Sequence, residues 1–89
     1  MEYEWDEVKH ESNLLKHGLD FSDADLVLNI RTSLRLRVRL RWNDVAPVES
    51  VMVTLTLIYT YRQQRVRVIS LRKASQRERK MHDEWIHTP

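Results

Sequence analysis

Hydrophobic and polar positions alternate without interruption between residues 33 and 42. Apolar side chains occupy every even position from Leu34 to Trp42, and the odd positions between them carry Arg35, Arg37, Arg39 and Arg41. A period of two is typical of a β-strand, because successive side chains point to opposite faces of the sheet. The pattern therefore predicts one strand over residues 33–42, with an apolar face and an arginine face.

Two later segments, at about residues 50–61 and 65–72, also have a strand-like pattern. Short connections separate the three segments, at residues 43–47 and residues 62–64. Because short connections join antiparallel neighbours, the sequence predicts an antiparallel sheet of three to four strands.

Helical patterns lie on both sides of the predicted sheet. Residues 6–17 predict an amphipathic helix: Val8 and Leu15 share one face, whereas polar side chains occupy another, namely Lys9, His10, Asn13 and His17. In such a helix the apolar face normally packs on the core, so the polar face is expected at the surface. Gly18 is the predicted C-cap of this helix.

Capping signals predict two further helices. Ser22 is expected to cap a short helix that ends at about Asn29. Ser75 and Glu78 have the spacing of a capping box and start a last helix that ends near Trp85. The predicted fold class is α+β: two N-terminal helices, the antiparallel sheet and a C-terminal helix, with the helices on one face and the other face open to a ligand.

Composition limits the protein class. The 89 residues are expected to form a single domain, and the absence of cysteine excludes disulfides and a cysteine nucleophile. The segment MEYEWDE has no apolar region of the kind found in signal peptides. The charge-free stretch VMVTLTLIYTY has 11 residues, is preceded only by one further uncharged residue, Ser50, and is too short for a membrane helix. We therefore expect a soluble, cytoplasmic protein without a membrane partner.

Charge is distributed unevenly along the chain. Residues 1–30 contain eight acidic residues and two lysines, whereas residues 31–89 contain thirteen basic residues and five acidic ones. Most of the basic residues are arginines, which suit bidentate phosphate contacts, so a nucleic-acid partner is favoured. The alternative is that the two parts neutralise each other within the fold.

Two stretches resemble the signatures of the BrnT family. The first, YEWDEVKHESNLLKHGLDFSDA, contains Glu-Trp-Asp, then an asparagine and Lys-His-Gly. The second, IYTYRQQRVRVISLRKASQRERKMHDEW, contains an Arg-Val-Arg-Val-Ile-Ser run, then an arginine and an Arg-Glu pair. Together they cover about 50 of the 89 residues. Residues 31–56 depart from the family pattern because both of its glycines are absent.

The resemblance implies a bacterial type II toxin that cleaves RNA and has a RelE-like fold. Its expected partners are RNA and a BrnA-type antitoxin, which is a ribbon-helix-helix protein. The toxin itself is not expected to contact operator DNA, which only the antitoxin would bind. A homo-oligomer is left open.

Catalysis of RNA cleavage without a metal requires a base, an acid and fixed cations. His17 matches the histidine of the first signature and is the candidate acid or base; it lies in the last helical turn, where the helix dipole favours its cationic form. Its alternative role is to cap the helix. Arg67 and Arg72 match the second signature and are the candidate cations. No metal constellation is visible, so neither a metal nor another cofactor is expected.

Several further residues are candidates for RNA binding without a part in the chemistry. They are Lys9, Asn13, Lys16 and Tyr59, together with the row Arg35, Arg37, Arg39 and Arg41. The alternative is that Lys9, Asn13 and Lys16 are ordinary surface residues and that Tyr59 is an ordinary packing residue. Arginines at every second position of a strand lie about 7 Å apart, close to the phosphate spacing of an extended RNA strand. The alternative is that these charges discourage aggregation at a sheet edge.

Three function classes remain open from the sequence alone. They are a metal-independent ribonuclease toxin, a nucleic-acid-binding module without catalysis, and a protein-binding domain whose basic face meets an acidic partner such as the antitoxin.

Overall fold

The computed structural model of the protein describes residues 2–89. The strands are β1 (Tyr3–Trp5), β2 (Leu34–Val38), β3 (Arg41–Val48), β4 (Val53–Arg62) and β5 (Arg65–Lys73). The α-helices are α1 (Glu7–His17), α2 (Asp25–Leu28) and α3 (Gln76–Ile86), and 3-10 turns lie at Phe21–Asp23 and Glu49–Val51. The α+β class is confirmed.

The described strands form one sheet in the order β1-β5-β4-β3-β2. The prediction of three to four antiparallel strands is wrong in number and in one direction, because the short β1 adds to the sheet parallel to β5. Three residues are too few to produce a period that a sequence pattern could reveal. The remaining neighbours are antiparallel, as predicted.

The predicted strand over residues 33–42 is in fact two strands joined by a tight turn at Arg39 and Leu40. Arg39 adopts a φ of 58°, a conformation that is usually found at glycine or asparagine in hairpin turns. Because neither residue type is present at this turn, the turn could not be recognised from the sequence. The predicted connection at residues 43–47 consequently lies within β3. The turn also divides the arginine row between the two faces of the sheet.

Register assigns each arginine to a face. Arg35 and Arg37 of β2 lie opposite Asp44 and Trp42 of β3, and directly opposed residues share a face. Arg41 is the next residue along β3 from Trp42, so it points to the other face. The four guanidinium groups therefore do not form one row along a strand.

The main core lies between one sheet face and the N-terminal helical segment. Its fully buried residues include Phe21, Ala24 and Val27 of that segment, with Leu55, Leu57, Tyr59, Val66, Val68 and Leu71 of the sheet. The predicted cap at Gly18 is confirmed: its φ is 69° and its N–H donates to the Leu14 carbonyl. The predicted cap at Ser22 is wrong, because Asp20 accepts the Ser22 backbone N–H instead.

Helix α3 lies on the opposite face of the sheet. Its capping box at Ser75 and Glu78 is confirmed. Thr56 points away from its core-facing neighbours Leu55 and Leu57, and its hydroxyl donates to the Glu78 carboxylate. The prediction of helices on one face is therefore wrong, and the open part of this face is limited to the region that α3 leaves uncovered.

Helix α1 is turned the other way from the prediction. Val8 is 76% exposed and Leu15 is 90% exposed, whereas the polar Asn13 is only 7% exposed. The reason is the short β1, whose pairing with β5 ends at Val68 and leaves the edge of β5 beyond it without a strand. Asn13 takes the place of that strand, because its amide donates to the Leu71 carbonyl and accepts the Leu71 N–H.

None of the helices in residues 2–89 has the length and apolar character that crossing a membrane requires.

Candidate functional site

A groove of about 330 Å³ runs between α1 and the edge of β5. Ile69 and Ser70 line its strand side, and α1 contributes Val8, Lys9, Ser12, Asn13, Lys16 and His17. Four of the residues singled out from the sequence, Lys9, Asn13, Lys16 and His17, are thus brought together. Their spacing along α1 places them on the side that Asn13 holds against β5, and the groove's described lining carries no acidic side chain.

His17 lies at the end of this groove, in an environment that favours the neutral imidazole. Burial lowers its pKa from the usual 6.5, and the positive charges of Lys16 and Arg72 lower it further. These causes act against the cationic form that the helix dipole was expected to favour. A neutral imidazole at pH 7 can accept a proton, as a general base must.

Arg72 is close enough to His17 for its charge to lower the pKa of His17, but it does not itself line the groove. A fork-shaped contact with α3 fixes its position. Its two terminal nitrogens, Nη1 and Nη2, donate to the Glu78 carboxylate oxygens at 2.7 and 3.0 Å. The same carboxylate accepts the Thr56 hydroxyl at 3.0 Å and the Ser75 backbone N–H at 2.8 Å. A bidentate pair fixes the guanidinium plane as well as its position. The capping role of Glu78 was predicted from the sequence, and its spacing from Arg72 is the signal that could have suggested this bidentate pair.

Arg67 stands apart from the groove. It lies opposite Glu4 of β1 and Thr60 of β4, and its Nη1 donates to the Glu4 carboxylate at 2.8 Å. Arg67 and Arg72 are five positions apart on β5, which is roughly 16 Å along a strand. The described lining of the groove does not include Arg67, so the two candidate arginines are not neighbours.

Asn13 has a structural role that uses its whole amide. Its Nδ2 donates to the carbonyls of Leu19 and Leu71, and its Oδ1 accepts the Ser70 hydroxyl and the Leu71 N–H. An asparagine amide has two donor hydrogens and two acceptor lone pairs. All four positions are therefore occupied, and the side chain has none left for RNA.

Tyr59 cannot stack on a base as predicted, because it is fully buried in the core. Its hydroxyl donates to the buried carboxylate of Asp44 at 3.0 Å, and Arg35 donates to the same carboxylate with two nitrogens. Burial and the neighbouring negative charge of Asp44 raise the pKa of Tyr59. Tyr59 and Arg35 thus belong to one network within the protein.

The other arginines of the row have different environments. The Arg37 guanidinium lies 4.6 Å from the centre of the Trp42 ring, in a cation–π contact, and its Nε donates to the Arg39 carbonyl. Arg39 and Arg41 are exposed at the hairpin tip. None of the four arginines of the row, Arg35 included, is among the residues described as lining the groove.

The open face next to the groove carries arginines that the sequence did not single out. Arg62 and Arg65 are opposite each other on β4 and β5, and on the same face Arg67 lies opposite Thr60. Strand alternation did predict that Arg65 and Arg67 share a side. Which side is open could not be known without the sheet order.

Within residues 2–89, no three histidine, aspartate or glutamate side chains come together in a way that could hold a metal ion.

Comparisons with known proteins agree with the two signatures. Residues 5–78 match a family model described as the ribonuclease toxin BrnT of a type II toxin–antitoxin system. The crystal structure of the Brucella abortus ribonuclease toxin BrnT is similar, with 29% sequence identity and a TM-score of 0.70 over 85% of this chain and 99% of that chain. A search of curated proteins gave no match. The family expected from the sequence is confirmed: this chain belongs to the BrnT family of ribonuclease toxins of type II toxin–antitoxin systems.

Proposed function

We propose that this toxin is an endoribonuclease that cleaves RNA without a metal ion, in the groove between α1 and β5. The observation that carries the proposal is the groove itself, which brings His17 together with Lys9 and Lys16 and has no acidic side chain in its described lining. Burial and the neighbouring positive charges lower the pKa of His17, which favours its neutral form. A groove of this kind attracts the phosphate backbone and places a proton acceptor beside it.

Each residue has a distinct role in this proposal. His17 accepts the proton of the 2′-hydroxyl that attacks the neighbouring phosphorus. The bond from phosphorus to the 5′-oxygen then breaks, and that oxygen takes a proton from water, which leaves a 2′,3′-cyclic phosphate and a 5′-hydroxyl. Arg72 stabilises the extra negative charge of the pentacoordinate phosphorane, since a guanidinium fixed in advance costs no reorganisation during the reaction. Lys9 and Lys16 hold the phosphates on either side, and Arg67 binds the RNA strand where it continues over the open face of the sheet.

The test is cleavage of an RNA oligonucleotide by purified protein in excess EDTA. We expect activity to persist, and we expect His17→Ala and Arg72→Ala each to lower kcat by about 10²-fold, as loss of a transition-state contact does. His87→Ala and Arg77→Ala are matched controls, because both residues are exposed on or after α3 and do not line the groove. Activity that disappears with EDTA and returns with magnesium would refute metal independence.

The same assay separates catalysis from binding. A module that only binds RNA would retain salt-dependent affinity for the oligonucleotide, because its lysines and arginines release counterions from the backbone. It would yield no cleavage products in either the wild type or the variants.

The family belongs to type II toxin–antitoxin systems, and we propose a specific kind of partner for this chain. Toxins of type II systems have a protein antitoxin, and we take it here to be of the BrnA type, a ribbon-helix-helix protein that carries the complex to operator DNA. We place both proteins in the cytoplasm, together with the RNA substrate. Mass measurement of the co-expressed pair and a gel shift with operator DNA test this assignment.

A further inference from the structure

Two large apolar side chains on α1 are exposed side by side. Val8 and Leu15 are 76% and 90% exposed, and nothing in residues 2–89 covers them. They are seven positions apart, which is close to two helical turns, so they lie on the same side of α1 about 10 Å apart, with the exposed Glu11 and Ser12 between them. An apolar pair in this position adds nothing to the core.

The surroundings of this pair connect it to the groove. Lys9 and Lys16 lie on the flank of α1 between the apolar pair and the sheet, and both line the groove. Val8 also lines the groove, so the apolar surface and the groove share an edge. A molecule that covers Val8 and Leu15 and also contacts Lys9 and Lys16 therefore lies along the rim of the groove and closes it from above.

We propose that this face of α1 is the docking surface of the antitoxin, and that the docked antitoxin blocks RNA from the groove. The occlusion rests on the groove being the RNA site, as proposed above. The antitoxin segment that fits has apolar side chains for Val8 and Leu15 and acidic side chains opposite Lys9 and Lys16. RNA alone does not account for the surface, because a phosphate backbone offers Leu15 no apolar contact.

The inverted orientation of α1 supports this assignment. Asn13 holds the polar side of the helix against β5 through its bonds to Leu71, and this leaves the apolar side facing outward. The exposure of Leu15 is therefore built into the fold rather than the result of a mobile end. Burying the Leu15 side chain on binding would remove its apolar surface from water, which favours the complex.

The test compares Leu15→Gln with Met52→Gln. Leu15 does not line the groove, and Met52 is equally exposed, at 89%, but lies between β3 and β4. Glutamine is a helix former close to leucine, so the variant keeps α1. We expect Leu15→Gln to weaken binding of the antitoxin encoded with this toxin by about tenfold or more in calorimetry, whereas Met52→Gln binds as the wild type does.

A cleavage assay completes the test. Leu15→Gln should cleave the RNA oligonucleotide at the wild-type rate and should need about tenfold more antitoxin for the same inhibition. Unchanged antitoxin affinity in Leu15→Gln would overturn the proposal. So would slower cleavage without antitoxin, which would assign Leu15 to the RNA site. A free toxin that sediments as a dimer and becomes monomeric in Leu15→Gln would assign the surface to a second copy instead.

The experiments distinguish failure of the proposed ribonuclease activity from failure of the proposed docking site. If the wild type cleaves no RNA, the calorimetric comparison still reports whether Leu15 binds the antitoxin. If the wild type cleaves RNA and a ternary complex of toxin, antitoxin and labelled RNA sediments together, the docking site is elsewhere and the occlusion is wrong.

Discussion

Replacing Glu78 with glutamine should weaken the fold in a way that depends on pH. The Glu78 carboxylate accepts four hydrogen bonds, two from Arg72 and one each from Thr56 and the Ser75 backbone. Burial alone would raise its pKa, but the contacts with Arg72, Ser75 and Thr56 outweigh burial and lower the pKa from 4.5 to about 2. The side chain is only 13% exposed, so solvent screens these contacts little.

The size of the effect follows from this pKa difference. Because the folded-state pKa is lower than the unfolded one, the ionised carboxylate stabilises the fold at every pH above about 4.5, and this stability is lost as the pH falls towards 2. The full contribution of the shift is about 3 kcal/mol, and about 2 kcal/mol of it is gone at pH 3. Glu78→Gln removes the titrating group and with it this part of the pH dependence.

The measurement is urea unfolding at pH 7 and pH 3 for the wild type, Glu78→Gln and Glu4→Gln. Glu4 is a matched control because it also contacts an arginine, Arg67, but accepts only one hydrogen bond. Both proteins should lose stability from pH 7 to pH 3, and we expect the wild type to lose about 2 kcal/mol more than Glu78→Gln. Other acidic residues contribute equally to both proteins and cancel. Equal pH dependence in the wild type and Glu78→Gln would refute the reasoning.

Three further predictions test individual contacts. Asn13→Leu should destabilise the protein by about 2–4 kcal/mol and speed hydrogen exchange at the Leu71 amide, because the N–H and carbonyl of Leu71 and the carbonyl of Leu19 lose their partners; unchanged protection there would contradict the edge-sealing role. Tyr59→Phe should cost about 1–3 kcal/mol in thermal or urea unfolding and leave RNA affinity unchanged, whereas weaker RNA binding would restore a role in base contact. Lys16→Gln should raise the pKa of His17 and move the acidic limb of the kcat/KM profile to higher pH; an unmoved limb would mean that His17 is not the base.

Features with a local chemical cause could be predicted from the sequence. The capping box at Ser75 and the left-handed cap at Gly18 each depend on residues a few positions apart, and both formed as predicted. The groove residues of α1 were also identified, because they match a family signature and share a helical face. What the signature could not show is that Asn13 serves the fold rather than the substrate.

Features that depend on pairing between distant segments could not be predicted. The two-residue turn at Arg39 has no glycine, and the alternating pattern continues on both sides of it, so the pattern alone cannot separate one strand from two. Arg35 and Arg37 therefore reach Asp44 and Trp42 instead of a common RNA strand. The burial of Tyr59 could not be predicted for the same reason, because the face of β4 that packs on the core depends on how distant segments pair and pack.

The orientation of α1 shows how one long-range fact can reverse a local rule. The amphipathic rule assumes that a helix packs on an apolar surface. Here α1 packs beside a bare strand edge, where the nearest groups are the N–H and carbonyl of Leu71, and buried backbone groups of this kind require partners. An asparagine on the inner face satisfies both groups at once, which no apolar residue could do. The helix therefore turns its lysines and His17 towards the groove and Leu15 towards solvent. Asn13, which seals the sheet edge, thus also positions the candidate catalytic residue of α1 and the surface that we propose for the antitoxin.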